Sequence, residues 1–149
     1  ATRSNNAPGS LPQHKSQVGK QSALAKLTGS LPERLTAVVS VGRVLFSPAQ
    51  LAGYASDALG YKRFPPEAVA IPGNATELIA LVRLLKDEAV PYVVRGAGTS
   101  LSGGPVAAQG GVVIHTSKLR AIERINPAGL YAIVESGVVL NHLDAALKP

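Results

Sequence analysis

The stretch that decides the fold is PYVVRGAGTSLSGG, residues 91–104, in which a short apolar run leads directly into a loop rich in glycine. Glycine has no Cβ, so such a backbone can adopt positive φ and turn several N–H groups toward one anion. Thr99, Ser100 and Ser102 add hydroxyl donors, and Arg95 adds a cation at the loop entrance. The composition of the loop therefore predicts a site for a diphosphate.

The residues before this loop predict a strand, a helix and a second strand. Residues 68–71 form a short apolar run, and Asn74 with Glu77 three residues later is typical of a helix N-terminus. One buried helical stripe follows, formed by Leu78, Leu81, Val82 and Leu85. With the second strand at residues 92–94, this spacing predicts a right-handed crossover between parallel strands, whose carboxyl ends are where such sheets bind ligands.

Two well-known phosphate-binding motifs do not fit the loop. A dinucleotide G-x-G-x-x-G motif beginning at Gly96 would need a glycine where Leu101 stands. A P-loop beginning at Gly98 reaches Gly103, but residues 104–105 are Gly-Pro where Lys and Ser or Thr are required. The residues alone therefore leave two interpretations open, which are a backbone anion site without a helix dipole behind it and a flexible Gly/Ser turn.

Further elements are predicted after the loop. In chain order they are a buried strand at residues 111–115, an antiparallel hairpin with strands at 122–125 and 130–135 and a type I turn at 126–129, and a short helix at 139–147. We interpret His115, at the end of the first of these strands, as a structural side chain, and Asn141 as the N-cap of the helix.

The N-terminal part of the chain differs in composition from the rest. Residues 1–21 mix Ser, Asn, Pro, Gly and Gln without hydrophobic periodicity, so we expect a disordered basic lead. Residues 22–62 predict a helical segment that is interrupted at Gly29 and Pro32 and that starts again at residues 47–48, Ser-Pro.

Charge and composition exclude several classes of function. The formal net charge is +6, but residues 1–32 hold four basic side chains and no acidic one, so the excess is not on one folded face and we expect no nucleic-acid binding. The absence of cysteine excludes disulfides, thiolate catalysis and cysteine-ligated metals within these residues. No run approaches the ~20 apolar residues of a membrane span. We expect a cytoplasmic protein, with peripheral membrane association as an alternative.

The glycine-rich string also resembles a known family. Residues 91–104, with PGNATEL at residues 72–78 and ESGV at residues 135–138, are similar to the FAD-binding PCMH-type domain of the vanillyl-alcohol oxidase family. The similar branch is that of the glycolate oxidase FAD subunit and D-lactate dehydrogenase. The resemblance implies an α+β fold, with a small parallel βαβ subdomain followed by the start of a second α+β subdomain. Residues 63–149 would then be a partial FAD-binding domain that is incomplete at its C-terminus, and the chain would be an N-terminal fragment of a longer protein.

The resemblance implies that FAD is the cofactor and that its pyrophosphate is held mainly by backbone amides. The implied cofactor-binding residues are Arg95, Gly96, Ala97, Gly98, Thr99, Ser100, Ser102, Gly103, Gly104 and Gly137. Covalently linked family members often have a histidine at the position of Thr99, so the resemblance implies non-covalent FAD. We expect neither catalytic residues nor metal ligands within the chain.

The resemblance implies the first part of an FAD-dependent oxidoreductase that oxidises a D-2-hydroxy acid, such as glycolate or D-lactate, by hydride transfer to flavin N5. Electrons would pass to a separate acceptor, for which an iron-sulfur protein or domain is one candidate. The fragment alone is expected to be inactive, because substrate is bound by a later domain in the family. The alternative is a non-catalytic nucleotide- or phosphate-binding module.

Overall fold

The structure is a computed structural model that describes residues 29–40 and 42–148. The predicted basic lead, residues 1–21, and the first part of the predicted helical segment lie outside the described residues. Four α-helices are described, which are α1 (Leu31–Val38), α2 (Pro48–Leu51), α3 (Ala75–Asp87) and α4 (Leu140–Leu147), and a 3₁₀ turn at Ala52–Tyr54 follows α2. Within the described part of the chain, no helix is long and apolar enough to cross a membrane.

A four-stranded mixed sheet forms the centre of the fold. Its strands are β1 (Val44–Leu45), β2 (Ala68–Ala70), β3 (Tyr92–Arg95) and β4 (Val112–His115), in the order β1-β2-β4-β3. β2 and β3 both pair in parallel with β4, and β1 pairs antiparallel with β2. The predicted parallel arrangement is confirmed, with β4 inserted between the two strands that α3 connects. β1 was not predicted, because a strand of two residues has no periodicity to detect.

Both faces of this sheet are covered. One face packs against α1 and α3, and its buried residues include Leu35, Val39, Ala68, Ala70, Leu81, Leu85, Val112 and Ile114. On the other face, Val69 and Val113 pack against Leu51 of α2 and Ala107. Because both faces are buried, the central strands are continuous apolar runs rather than alternating ones. This packing fixes where β3 and β4 end, and therefore where the glycine-rich loop begins.

The N-terminus of α3 forms as the sequence predicts, with one difference. The Asn74 Oδ1 accepts the Glu77 N–H at 2.9 Å, which is the expected cap. The Glu77 carboxylate bonds to the Gly73 N–H at 2.8 Å instead of to the cap residue itself. It also accepts hydrogen bonds from Arg43 (2.9 Å) and Ser40 (3.1 Å), which hold it over the strand-to-helix turn.

Two other details differ from the predictions. Pro32 lies in the first turn of α1 and does not interrupt the helix, because a proline is tolerated where the N–H has no intrahelical partner. Asn141 lies inside α4, so its assignment as the N-cap was wrong. The N-cap is Val139, whose φ of −81° and ψ of 133° give the extended backbone that a cap position requires.

The predicted antiparallel hairpin is confirmed, but its turn lies one residue later. β5 (Ile122–Asn126) pairs with β6 (Tyr131–Val134). The turn hydrogen bond runs from the Leu130 N–H to the Pro127 carbonyl at 3.3 Å, and Leu130 has a φ of +55°. Leu130 therefore belongs to the turn. The sequence predicted it as the first residue of the strand, and that prediction was wrong.

Candidate functional site

The glycine loop, which we define as residues 96–104, follows β3 at the carboxyl ends of the parallel strands. Within residues 29–40 and 42–148, no oxygen accepts a hydrogen bond from the backbone N–H groups of residues 96–101 or of Gly104. Most of this segment is exposed, so these donors are open to solvent. A run of unsatisfied N–H groups at this edge of a sheet is suited to a phosphate-bearing ligand.

Arg95, at the end of β3, is committed to the protein backbone. Its side chain donates to the Ser56 carbonyl at 2.8 Å and to the Gly53 carbonyl at 3.4 Å, and the residue is only 8% exposed. The guanidinium carbon also lies 5.6 Å from the ring centroid of Tyr54, within cation–π range. These contacts match the clamp on backbone carbonyls that a buried guanidinium can form, and they tie the start of the glycine loop to the turn after α2.

Gly98 is where the loop requires glycine. Its φ is +76°, in the left-handed region that side chains disfavour. A Cβ built at this position would lie 2.5 Å from the guanidinium carbon of Arg95. The loop therefore folds over the arginine, and a side chain at this position would have to displace the guanidinium from its carbonyl partners. By contrast, a Cβ at Gly96 would meet no atom within 4 Å, so the fold itself places no such demand on Gly96.

The second half of the loop is held by Asp57. One carboxylate oxygen accepts the Gly103 N–H at 2.9 Å, and the other accepts the N–H groups of Leu59 (3.1 Å) and Gly60 (3.3 Å). The Gly103 hydrogen bond is the main cause that holds the pKa of Asp57 below its usual range, so the side chain is ionised at neutral pH. The Ala58 N–H adds a bond to the Ser100 carbonyl at 3.2 Å.

The predicted site residues thus fall into two groups. The N–H groups of Ser102 and Gly103 are satisfied internally, by the Ser100 hydroxyl at 3.2 Å and by Asp57. The N–H groups of residues 96–100 and of Gly104 remain available. The Asp57 link was not predicted from the sequence, because the two partners are 46 residues apart and no local pattern pairs them.

Gly137, the last predicted site residue, lies at the same edge of the sheet. Its N–H bonds to the Leu119 carbonyl at 2.8 Å, and an added Cβ would collide with the backbone oxygens of Thr116 and Leu119. The Thr116 N–H in turn bonds to the Arg95 carbonyl at 3.0 Å. Close backbone packing therefore accounts for glycine at position 137. Thr116, which this packing involves, bonds directly to the residue before the glycine loop.

His115 supports the same edge. Its Nδ1 lies 3.2 Å from the Arg95 carbonyl, and its ring packs edge-on against Tyr54 with centroids 5.4 Å apart. A carbonyl oxygen can only accept, so this contact makes Nδ1 the protonated nitrogen. These contacts agree with the interpretation of His115 as a structural side chain. Among the described residues, no group of three His, Cys, Asp or Glu side chains could hold a metal ion.

A cavity of about 370 Å³ lies between the glycine loop and the segment after the 3₁₀ turn. Its lining residues include Asp57, Leu59, Tyr61, Lys62, Leu101, Ser102 and Gly103. The leucine and tyrosine side chains on its wall are exposed, with Tyr61 at 86%. Apolar side chains therefore form much of this wall, and Lys62 is a cationic side chain among its lining residues.

Comparisons with known proteins agree with this geometry. Residues 66–149 match a family model described as an FAD binding domain. The chain is 30% identical over 132 residues to the glycolate oxidase subunit GlcD of Escherichia coli strain K12, which covers 83% of the chain and 26% of that protein. It is 33% identical over 100 residues to D-lactate dehydrogenase of Archaeoglobus fulgidus, which covers 61% of the chain and 22% of that protein.

A solved structure has the same fold. The crystal structure of p-cresol methylhydroxylase with substrate bound superimposes with a TM-score of 0.67 at 22% identity, covering 76% of the chain and 23% of that protein. The chain spans about a quarter of the length of these relatives. At this identity, the structural match establishes the fold alone.

Proposed function

Because the chain belongs to the FAD binding domain family, whose model matches residues 66–149, we propose that it is part of an FAD-dependent oxidoreductase that oxidises a D-2-hydroxy acid of the glycolate or D-lactate type. The observation behind this proposal is the row of unsatisfied N–H groups at residues 96–101. The names of the relatives, glycolate oxidase subunit and D-lactate dehydrogenase, supply the substrate class.

The residues present fit the diphosphate of FAD. The N–H groups of residues 96–100 and Gly104 would hold its oxygens, and the open space at Gly96 would let a ligand approach the backbone closely. Arg95 would act indirectly by holding the loop, since its guanidinium is bound to the carbonyls of Gly53 and Ser56. Gly137 would contribute by close backbone packing at the same edge of the sheet, since its own N–H is bonded to the Leu119 carbonyl.

FAD, when bound, would supply the redox chemistry by accepting a hydride from the substrate α-carbon at flavin N5. The residues of this chain would hold the pyrophosphate and would thereby limit where the flavin ring can lie. We assign substrate recognition to a part of the protein outside this chain, and we expect the electrons to leave to a separate acceptor, for which an iron-sulfur protein or domain is a candidate. We propose a cytoplasmic location.

We propose non-covalent attachment because Thr99 stands at the loop position where, by the resemblance, covalently linked family members often have a histidine. A threonine side chain has no ring nitrogen to form that bond. Denaturation of the intact protein in acid should therefore release the flavin into the supernatant. Colour that stays with the precipitated polypeptide would contradict this assignment.

The main test uses the intact protein of which this chain is part. We expect the purified protein to show flavin absorption bands, and we expect anaerobic addition of D-lactate or glycolate to bleach them. L-lactate is the matched control and should leave the bands unchanged. A protein that takes up no FAD would contradict the proposal, whereas FAD that no hydroxy acid bleaches would favour the alternative of a non-catalytic nucleotide-binding module.

A further inference from the structure

The segment of residues 53–58, which we call the brace, bonds to Arg95 just before the glycine loop and to Ser100 and Gly103 within it. Arg95, just before the loop, donates to the carbonyls of Gly53 and Ser56. The second half of the loop is held by Asp57 and Ala58 of the brace, through Gly103 and Ser100 respectively. The brace lies before residue 66, outside the part of the chain that matches the family model.

We propose that Asp57 is a positioning residue for the FAD-binding loop, an inference that rests on the proposed function. Its carboxylate takes the Gly103 N–H out of the set of free donors. The diphosphate would then bind at residues 96–100 and Gly104, whose N–H groups have no acceptor among the described residues. Asp57 thus selects which part of the loop meets the ligand, before the ligand arrives.

The geometry of the brace supports a pre-formed loop. Two further N–H groups, those of Leu59 and Gly60, bind the other oxygen of Asp57 and fix the orientation of its carboxylate. Gly60 has a φ of +71°, which closes the turn around that oxygen. The Asp57 side chain is therefore fixed by neighbours in its own segment, and its other oxygen can order the glycine loop through Gly103. Pre-ordering of this kind improves affinity because less freedom is lost on binding.

The charge of Asp57 makes the proposal sharply testable. A carboxylate beside a diphosphate site opposes an anionic ligand by Coulomb repulsion. If charge alone mattered, Asp57→Asn would tighten FAD binding. If positioning matters more, the same substitution weakens it, because an amide has one acceptor oxygen and cannot serve Gly103 and the Leu59–Gly60 turn together.

The experiment uses the intact protein with Asp57→Asn and Asp57→Ala, and with Asp87→Asn as the control. Asp87 is exposed at the end of α3, so its variant makes the same change of charge away from the loop. The first measurement is hydrogen–deuterium exchange of the apo-protein over residues 101–106. We expect faster exchange in both Asp57 variants and no change in the control.

The second measurement is the dissociation constant for FAD by flavin titration, together with the unfolding temperature of each apo-protein. We expect the dissociation constant to rise about 10-fold in the Asp57 variants and not in Asp87→Asn, while each apo-variant stays folded at the temperature of the titration. Unchanged exchange, an unchanged or lower dissociation constant, or a rise matched by a general loss of stability would each overturn the proposal.

The two proposals fail in different ways. A wild-type protein that does not bind FAD would refute the proposed function, and with it the role of Asp57 in cofactor binding, even if exchange showed the link to the loop. A wild-type protein that binds FAD, with Asp57 variants that bind it equally well, would refute only the role of Asp57.

Discussion

Replacing Gly98 with alanine should destabilise the protein through the loop and not through the core. An alanine there would be forced into the left-handed region at a φ of +76°, which costs about 1–2 kcal/mol. Its Cβ would also collide with Nη2 of Arg95, which donates to the Gly53 carbonyl, and would lie 2.5 Å from the guanidinium carbon, so the guanidinium would have to shift from its carbonyl partners. A hydrogen bond to a charged group contributes about 1.5–3 kcal/mol. Together these effects predict a loss of roughly 2.5–5 kcal/mol.

Gly96→Ala is the matched control, since it adds the same methyl group two residues away. No atom lies within 4 Å of its Cβ, and the φ of Gly96 is not positive. Its free energy of unfolding should therefore change by less than about 0.5 kcal/mol. Its dissociation constant for FAD should nevertheless rise at least about 10-fold if the backbone at Gly96 touches the diphosphate.

Both variants are measured in the intact protein, by urea denaturation of the apo-protein and by flavin titration. We expect the free energy of unfolding to fall in Gly98→Ala and not in Gly96→Ala, whereas the affinity for FAD should fall in both. A Gly98→Ala variant within about 1 kcal/mol of wild type would refute the argument from φ and from Arg95. Equal destabilisation by Gly96→Ala would refute the claim that the fold leaves space there.

Three further predictions test the rest of the site. Arg95→Lys should lower the stability by about 1–3 kcal/mol in chemical denaturation, because lysine lacks the planar fork whose two nitrogens reach the Ser56 and Gly53 carbonyls. Unchanged stability with weaker FAD binding would instead make Arg95 a phosphate ligand. Gly137→Ala should lower the unfolding temperature by several degrees, since its Cβ meets the backbone of residues 116–119, and a variant as stable as wild type would contradict that packing. The Gly73 N–H is the largest of several causes that lower the pKa of Glu77 in the folded protein below its ordinary value of 4.5. The stabilisation from Glu77 is therefore present above about pH 4.5 and is lost as the pH falls through the lowered pKa. Glu77→Gln should therefore flatten the acid limb of stability against pH, and an unaltered acid limb would show that Glu77 does not contribute to it.

The local parts of the fold could be predicted because each depends on neighbouring residues. The Asn74 cap and the apolar strands before and after α3 follow from propensity and spacing, and the structure confirms them. Errors arose where local patterns were weak or ambiguous. The two residues of β1 have no period, and at Asn141 a good capping side chain stood two positions inside the helix. In the hairpin, the positive φ fell on Leu130 and not on a glycine.

The sequence by itself determined that the loop is rich in glycine and that it follows an apolar strand, and it predicted a phosphate-bearing ligand there, because these properties belong to consecutive residues. Only the tertiary structure decided which N–H groups in that loop are free. The donors at Ser102 and Gly103 are taken by Ser100 and by Asp57, and the cation at Arg95 is taken by carbonyls about 40 residues earlier in the chain. Hydrogen bonds between distant segments depend on how the sheet packs, and no local pattern of residues encodes them.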